Sequence, residues 1–123
     1  MTASVCGALL DAIAERDFER IEECFAADAS LRVLTPGPLR EFSGSAEAVG
    51  RYRHWLEPLG HFELLEGDVE EIGDRVRVRY RFRGCDPEKG WQLNEHTGYG
   101  TVEEGRITAL NVTCTGFRPT QAP

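Results

Sequence analysis

The sequence lacks most of what would tie it to a membrane, a metal or a nucleic acid. No apolar run is long enough to span a bilayer. The opening stretch MTASVCGALLDAIAERD has no basic leader and meets Asp11 early, so no secretory signal is expected and the cytoplasm is the expected compartment. There is no HExxH, no CxxC and no glycine-rich phosphate loop on a strand-to-helix turn, so no cofactor is expected. The cysteines (Cys6, Cys24, Cys85 and Cys114) are scattered, without the Cys/His spacing of a zinc site. In a reducing compartment they read as free thiols, mostly buried as small apolar residues. His54 and His61 flank WLEPLG with no carboxylate at helical spacing, and no metal is expected there. Positive charge is also scarce. Lys and Arg number 14 against 21 Asp and Glu, a net charge of -7 at pH 7, which repels nucleic acid and anionic lipid. A small uncharged or weakly polar molecule, or another protein, is the partner this composition favours.

What is present suits one globular domain. A chain of 123 residues with 41% hydrophobic residues can build a single core without cross-links. Leu9, Leu10, Ile13 and Ala14 form a stripe at helical spacing that ends near Arg16-Asp17. Asp17 is placed to cap a second helix with Phe18, Ile21, Cys24 and Phe25 facing inward and Glu19, Arg20, Glu22 and Glu23 facing water. A short strand is expected at Leu31 to Leu34, and Thr35-Pro-Gly-Pro38 breaks regular structure. Ser45 is placed to cap a third helix over Ala46 to Leu56, carrying Val49, Tyr52 and Leu56 on one face with Trp55 beside them.

The remainder reads as strands: Phe62 to Val69, Arg75 to Arg83, Trp91 to Val102 and Arg106 to Phe117. Gly73-Asp74 and Glu103-Glu104-Gly105 are hairpin turns, and Cys85 to Gly90 is a longer loop. The domain is expected to cover residues 1–118, with 119–123 a frayed tail. Helices followed by antiparallel strands predict an α+β fold with the helices on one face of a curved sheet.

That order of elements, with FAADASLRV after the second helix and VEEGRITAL near the end, resembles the nuclear transport factor 2-like superfamily over nearly the whole chain. The superfamily includes ketosteroid isomerases, SnoaL-like polyketide cyclases, scytalone dehydratase, limonene epoxide hydrolase and non-catalytic members. The ending CTGFRP resembles a subgroup of small bacterial members. The resemblance implies a cone-shaped α+β barrel enclosing a small-molecule pocket. It also implies a homodimer formed through the outer sheet face. Departures from the family pattern are as informative. Where ketosteroid isomerases carry an aspartate base and a tyrosine, this chain has apolar residues around Val33 and Leu9. The family's acid on the penultimate strand falls near Gly98. The acidic residue that SnoaL-like cyclases keep on the last strand is replaced by Leu110-Asn-Val-Thr113.

Period-2 alternation sorts side chains between the two faces of the sheet. Val76, Val78, Tyr80 and Phe82 share the apolar face of RVRVRYRFR, as do Leu110, Val112 and Cys114 on the last strand. The matching inward set on the strand between them is Asn94, His96, Gly98 and Gly100, with the glycines leaving space. His96, Asn94 and Cys114 are therefore the candidate catalytic residues, and His96 is the acid/base candidate because imidazole titrates nearest neutrality. The plainer reading of His96 is a buried histidine satisfied by a neighbouring group, and that of Cys114 is core filler. Tyr52, Trp55, Tyr80, Phe82, Leu110 and Val112 are candidate ligand-binding residues. A one-residue slip would instead bring Glu95, Thr97 and Tyr99 to the cavity, with Glu95 and Tyr99 as the catalytic pair. The arginine ladder (Arg75, Arg77, Arg79, Arg81 and Arg83) is expected on the outer face, paired with Glu63, Glu66, Glu70, Glu71 or Glu95.

Two functions fit these expectations. One is a cofactor-independent lyase, isomerase or cyclase that moves a proton on an apolar, oxygenated metabolite of polyketide or terpenoid kind. The other is a non-catalytic ligand-binding or dimerisation module. An open, partly polar cavity distinguishes the first from a cone filled with Tyr80, Phe82, Trp91 and Leu110.

Overall fold

The structure is a computed structural model that describes residues 3–123. Helix α1 (Ser4–Glu15) buries Cys6, Leu9, Ala12 and Ile13. The inward stripe runs through Ala12, and Ala14, expected inside, is exposed. The helix ends where Arg16 turns left-handed at φ 51°. Its guanidinium donates to Leu56 O at 3.2 Å and to Gly60 O at 3.3 Å, which fixes the end of α1 against the end of α3. Helix α2 (Phe18–Glu23) is capped as expected, with the Asp17 carboxylate accepting from Arg20 N.

Strand β1 (Phe25–Leu34) begins earlier than its alternation indicates. A register shift between Phe25 and Ser30 breaks the period there, so AADA does not look like a strand in sequence. Strand β2 (Leu39–Ser43) is not visible in the hydrophobic pattern, because it is an edge strand with almost every side chain exposed. Helix α3 (Ser45–Leu56) buries Ala48, Val49, Tyr52, Trp55 and Leu56. Ser45 is its first helical residue and does not cap it. Gly44 takes the capping position at φ 89°, a conformation that favours glycine. The Glu47 carboxylate reaches back to accept from Ser43 N at 2.9 Å.

Four long strands follow: β3 (Phe62–Ile72), β4 (Arg75–Asp86), β5 (Gly90–Glu103) and β6 (Arg106–Cys114). The loop expected from Cys85 to Gly90 is shorter than that, since Cys85 pairs with Trp91 and Asp86 with Gly90. The Asp86 carboxylate closes the turn by accepting from the N–H groups of Glu88 and Lys89, which holds its pKa below the usual carboxylate value. The last strand stops at Cys114, short of the expected Phe117. A two-residue strand, β7 (Arg118–Pro119), then pairs with Gln92 and Leu93, and Thr120 N donates to Trp91 O at 3.0 Å. The chain thus stays attached to the sheet beyond the boundary expected at residue 118.

The sheet order is β2-β1-β6-β5-β4-β3, with β7 beside β5. Among the described residues, only the β1–β6 pair is parallel. Helix α1 lies against β3 and α3 against β1 and β2. The faultless alternation of β4 gives the expected division: Val76, Val78, Tyr80 and Phe82 are buried, while the arginines between them face outward. Each such apolar side chain contributes roughly 1.5–3 kcal/mol by leaving water. The interior of the cone is filled rather than hollow. A Cβ on Gly98 would sit 3.0 Å from Leu110 Cδ1, and one on Gly100 would collide with the backbone oxygen of Ala109. The two glycines therefore admit Leu110 and a close neighbouring strand, and leave no free space. Among the described residues, no helix is long and apolar enough to cross a membrane.

On the outer face every rung of the arginine ladder meets a carboxylate. Arg83 pairs with Glu63, Arg81 with Glu66, and Arg79 with Glu66, Asp68 and Glu95. Arg77 pairs with Asp68 and Glu70, and Arg75 with Asp74. Asp68 joins the ladder in place of Glu71, whose carboxylate instead accepts from Ala3 N.

Candidate functional site

The pairing register brings three candidates together. Phe82 stands opposite Asn94 and Tyr80 opposite His96 across β4 and β5, and His96 stands opposite Cys114 across β5 and β6. Asn94, His96 and Cys114 are all buried on the concave side. The slipped alternative does not occur: Tyr99 is 48% exposed, and Glu95 lies on the outer face, bonded to Arg79 at 3.0 Å.

His96 is enclosed on three sides by rings, with centroids of Trp55, Tyr80 and Phe82 at 4.3, 4.9 and 5.5 Å. Its Nδ1 lies 2.7 Å from the Tyr80 hydroxyl, and its Nε2 has no hydrogen-bond partner. Burial, reinforced by the nearby Arg51 charge, pulls its pKa down to about 3. The imidazole is neutral at pH 7 and sits beneath Trp55. The expectation that it titrates near neutrality is thus corrected by its burial. Tyr52, Tyr80, Phe82, Leu110 and Val112 are all buried members of the hydrophobic core. The pKa values of both tyrosines rise through burial, so their phenols stay protonated.

An opening remains above this filled interior, between α3 and the segment that follows β6. It has a volume of about 310 Å³ and is bounded by Arg40, Arg51, His54, Trp55, Asn94 and Cys114. Thr35, Gly116 and Phe117 complete its rim. Gly116, at φ 77°, passes so close to Pro36 that a Cβ would lie 3.0 Å from its Cγ, which draws the rim together. A neighbouring cavity of about 250 Å³ shares His54, Trp55 and Phe117 as walls and is further lined by Pro58, Leu59 and Lys89.

Asn94 forms the floor, and its orientation is fixed. Cys114 Sγ donates to Asn94 Oδ1 at 3.3 Å and the Thr115 hydroxyl lies 3.4 Å from the same oxygen, so the NH2 group points the other way. That Nδ2 is buried and has no partner among the described residues. A buried donor left open is rare in folded proteins and marks a place where a further acceptor fits. The Cys114 thiol is pushed up by burial, although the N–H of Gly116, donating to its sulfur, opposes this. It is a thiol at neutral pH.

Arg51 is the cation nearest this floor. Its guanidinium carbon lies 5.0 Å from the Trp55 ring centroid and 5.7 Å from that of Phe42. Burial and the Arg40 charge lower its pKa. His54, at the exposed rim, is also lowered, first by partial burial and then by Arg51 and Arg40. His54, Asn94 and Arg51 therefore line one opening. The sequence reading passed over Arg40, Arg51 and His54 as cleft residues. A signal for the helical ones was present, since Arg51, His54, Trp55 and Pro58 recur at three- and four-residue steps. Of the candidate ligand-binding set, Trp55 lines the cleft. Among the described residues, no group of three or more His, Cys, Asp or Glu side chains converges to hold a metal ion.

The SnoaL-like domain family matches residues 7–110. No curated protein matches the chain. Among solved structures, a protein with a ketosteroid isomerase-like fold from Catenulispora acidiphila DSM 44928, in complex with trimethylamine, superposes with a TM-score of 0.71 at 13% identity, covering 91% of this chain and 85% of that one. A polyketide cyclase candidate from Xanthomonas campestris pv. campestris gives a TM-score of 0.71 at 19% identity over 89% of this chain and 87% of that one. An LEH-like epoxide hydrolase of M. tuberculosis gives 0.66 at 17% identity over 91% and 80%. At these identities the likeness establishes the cone fold.

Proposed function

The chain belongs to the SnoaL-like domain family, and from that premise we propose a cofactor-independent enzyme of the lyase, isomerase or cyclase kind. It moves a proton on an oxygenated small molecule seated in the cleft beside α3. The unpartnered Asn94 amide at the cleft floor is the observation that carries this reading. A substrate carbonyl oxygen accepts from Asn94 Nδ2, and the Arg51 charge stabilises the negative charge that grows on that oxygen. His54, uncharged because its pKa is lowered, takes the proton from the adjacent carbon. Cys114 and His96 are positioning residues: the first orients Asn94, and the second supports Trp55 from below.

A second reading, binding without chemistry, is favoured by one specific feature. No carboxylate lines the cavity that holds Asn94. Hydrogen–deuterium exchange next to the carbonyl, followed by NMR in D2O over a panel of cyclic ketones and 1,3-diketones, separates the two. The enzyme reading expects accelerated exchange that falls about 10²-fold in His54→Gln and in Asn94→Ala. Binding with no acceleration selects the binding module, and neither binding nor exchange overturns both.

We also propose a homodimer formed through the outer sheet face. Leu34, Leu39 and Tyr99, exposed at 52%, 47% and 48%, border one apolar depression there and support this arrangement.

A further inference from the structure

Resting on the reading of this cleft as the ligand site, we propose that its ligand is a small organic carboxylate. The anionic head is held by Arg51 and Arg40, beside the Asn94 amide that the reacting carbonyl oxygen keeps, and an apolar body lies along Trp55, Leu59 and Phe117.

The protein carries 21 acidic side chains against 14 basic ones, and all five ladder arginines have found a carboxylate. Arg51 and Arg40 have no acidic partner among the described residues, although both border an opening wide enough to admit one. Leaving a half-buried guanidinium unpaired beside a second cation costs free energy, and a negatively charged guest offsets that cost. The geometry then selects a planar, two-oxygen anion. The rings of Trp55 and Phe42 hold the Arg51 guanidinium in place, and its fork of donors matches a carboxylate. Cys114 and Thr115 meanwhile hold the Asn94 amide at the floor of the same cavity.

The neighbouring cavity supplies the rest of the ligand's character. Beyond the shared residues His54, Trp55 and Phe117, the lining turns to Pro58 and Leu59, with Gln92 and the Asp86–Lys89 turn at the far side. A charged head at one end and an apolar or aromatic tail at the other fits this sequence of surroundings. A neutral molecule would leave the two arginines as they are. A cationic one would be repelled by both.

The test uses 4-phenylbutyrate and its neutral amide, 4-phenylbutyramide, titrated into the full-length protein in chloride-free buffer. Calorimetry gives the affinities and two-dimensional NMR the location. We expect the carboxylate to bind at least tenfold tighter than the amide and to shift the Asn94 side-chain resonances. Arg51→Gln, and separately Arg40→Gln at an exposed position where folding is not at risk, should shrink the ratio to about twofold or less. Arg53→Gln, which removes a surface partner of Glu57, should leave it unchanged. Equal binding of acid and amide would overturn the proposal. So would a preference for the acid that survives both cleft substitutions, or no carboxylate binding at millimolar concentration. The two proposals fail separately. Carboxylate binding in a protein that exchanges no protons keeps the anion site and removes the enzyme. Proton exchange on neutral ketones with no preference for the acid does the reverse.

Discussion

On the outer face of β4, Arg77, Arg79, Arg81 and Arg83 meet carboxylates from β3 and β5, whereas Arg51 and Arg40 at the mouth of the cone meet none among the described residues. The contrast extends to the neutral groups. Tyr80 satisfies one nitrogen of His96, and both His96 Nε2 and Asn94 Nδ2 are left open. One surface has completed its electrostatics within the chain, and the other has not. Completed pairs on an exposed sheet are worth little individually and serve solubility and register. Groups that folding leaves incomplete, inside a concavity, are the ones available to a guest.

The largest effect that sharpens this comparison comes from acid. His96 has a folded pKa of about 3 against an ordinary value of 6.5, so the unfolded chain binds a proton that the folded one refuses. The stability this contributes is fully present above pH 6.5 and is lost as pH falls toward 3, at about 1.4 kcal/mol per pH unit. Urea melts at pH 7 and pH 4 should differ by about 3 kcal/mol from this source. His96→Gln, which keeps a partner for the Tyr80 hydroxyl, should remove that part of the difference. Equal pH slopes in the two proteins would mean that His96 is not held neutral.

Next in size is the filled interior. Leu110→Ala removes the side chain that occupies the space beside Gly98 and Gly100, and should cost about 2–5 kcal/mol in chemical denaturation. A loss below about 1 kcal/mol would show that the cone is looser than this packing requires.

The smallest effect separates the two sets of arginines directly. Arg79→Gln should cost only about 0.2–1 kcal/mol, reduced further by salt, and should leave the titration of His54 untouched. Arg51→Met and Arg40→Gln should each raise the pKa of His54, because each removes a positive neighbour that disfavours its protonated form. NMR titration of the histidine ring protons reads all three variants.

The sequence disclosed the sheet better than its mouth. RVRVRYRFR fixes the phase of β4, and the pairing of Tyr80 with His96 and Phe82 with Asn94 carries that phase to β5. Strand β2 escaped notice because an exposed edge strand has no buried period to detect. His96 was placed on the correct face, but its pKa depends on the rings of Trp55, Tyr80 and Phe82, which come from three different elements. The space expected beside Gly98 and Gly100 was taken by Leu110, and only the three-dimensional spacing of β5 and β6 decides that. The net charge of -7 pointed to an uncharged or weakly polar guest. It averages over a surface where, among the described residues, the ladder arginines are paired with acids and Arg40 and Arg51 at the cleft are not.

The most direct test of the account is an NMR map of where small molecules bind, using 4-phenylbutyrate on the uniformly labelled protein. The account predicts shifts centred on the Asn94 side-chain amide, the Trp55 indole, the His54 ring and the Gly116 N–H, with the residues of the ladder unmoved. Shifts centred on Tyr99 and the outer apolar face, or on the ladder arginines with the cleft silent, would contradict it.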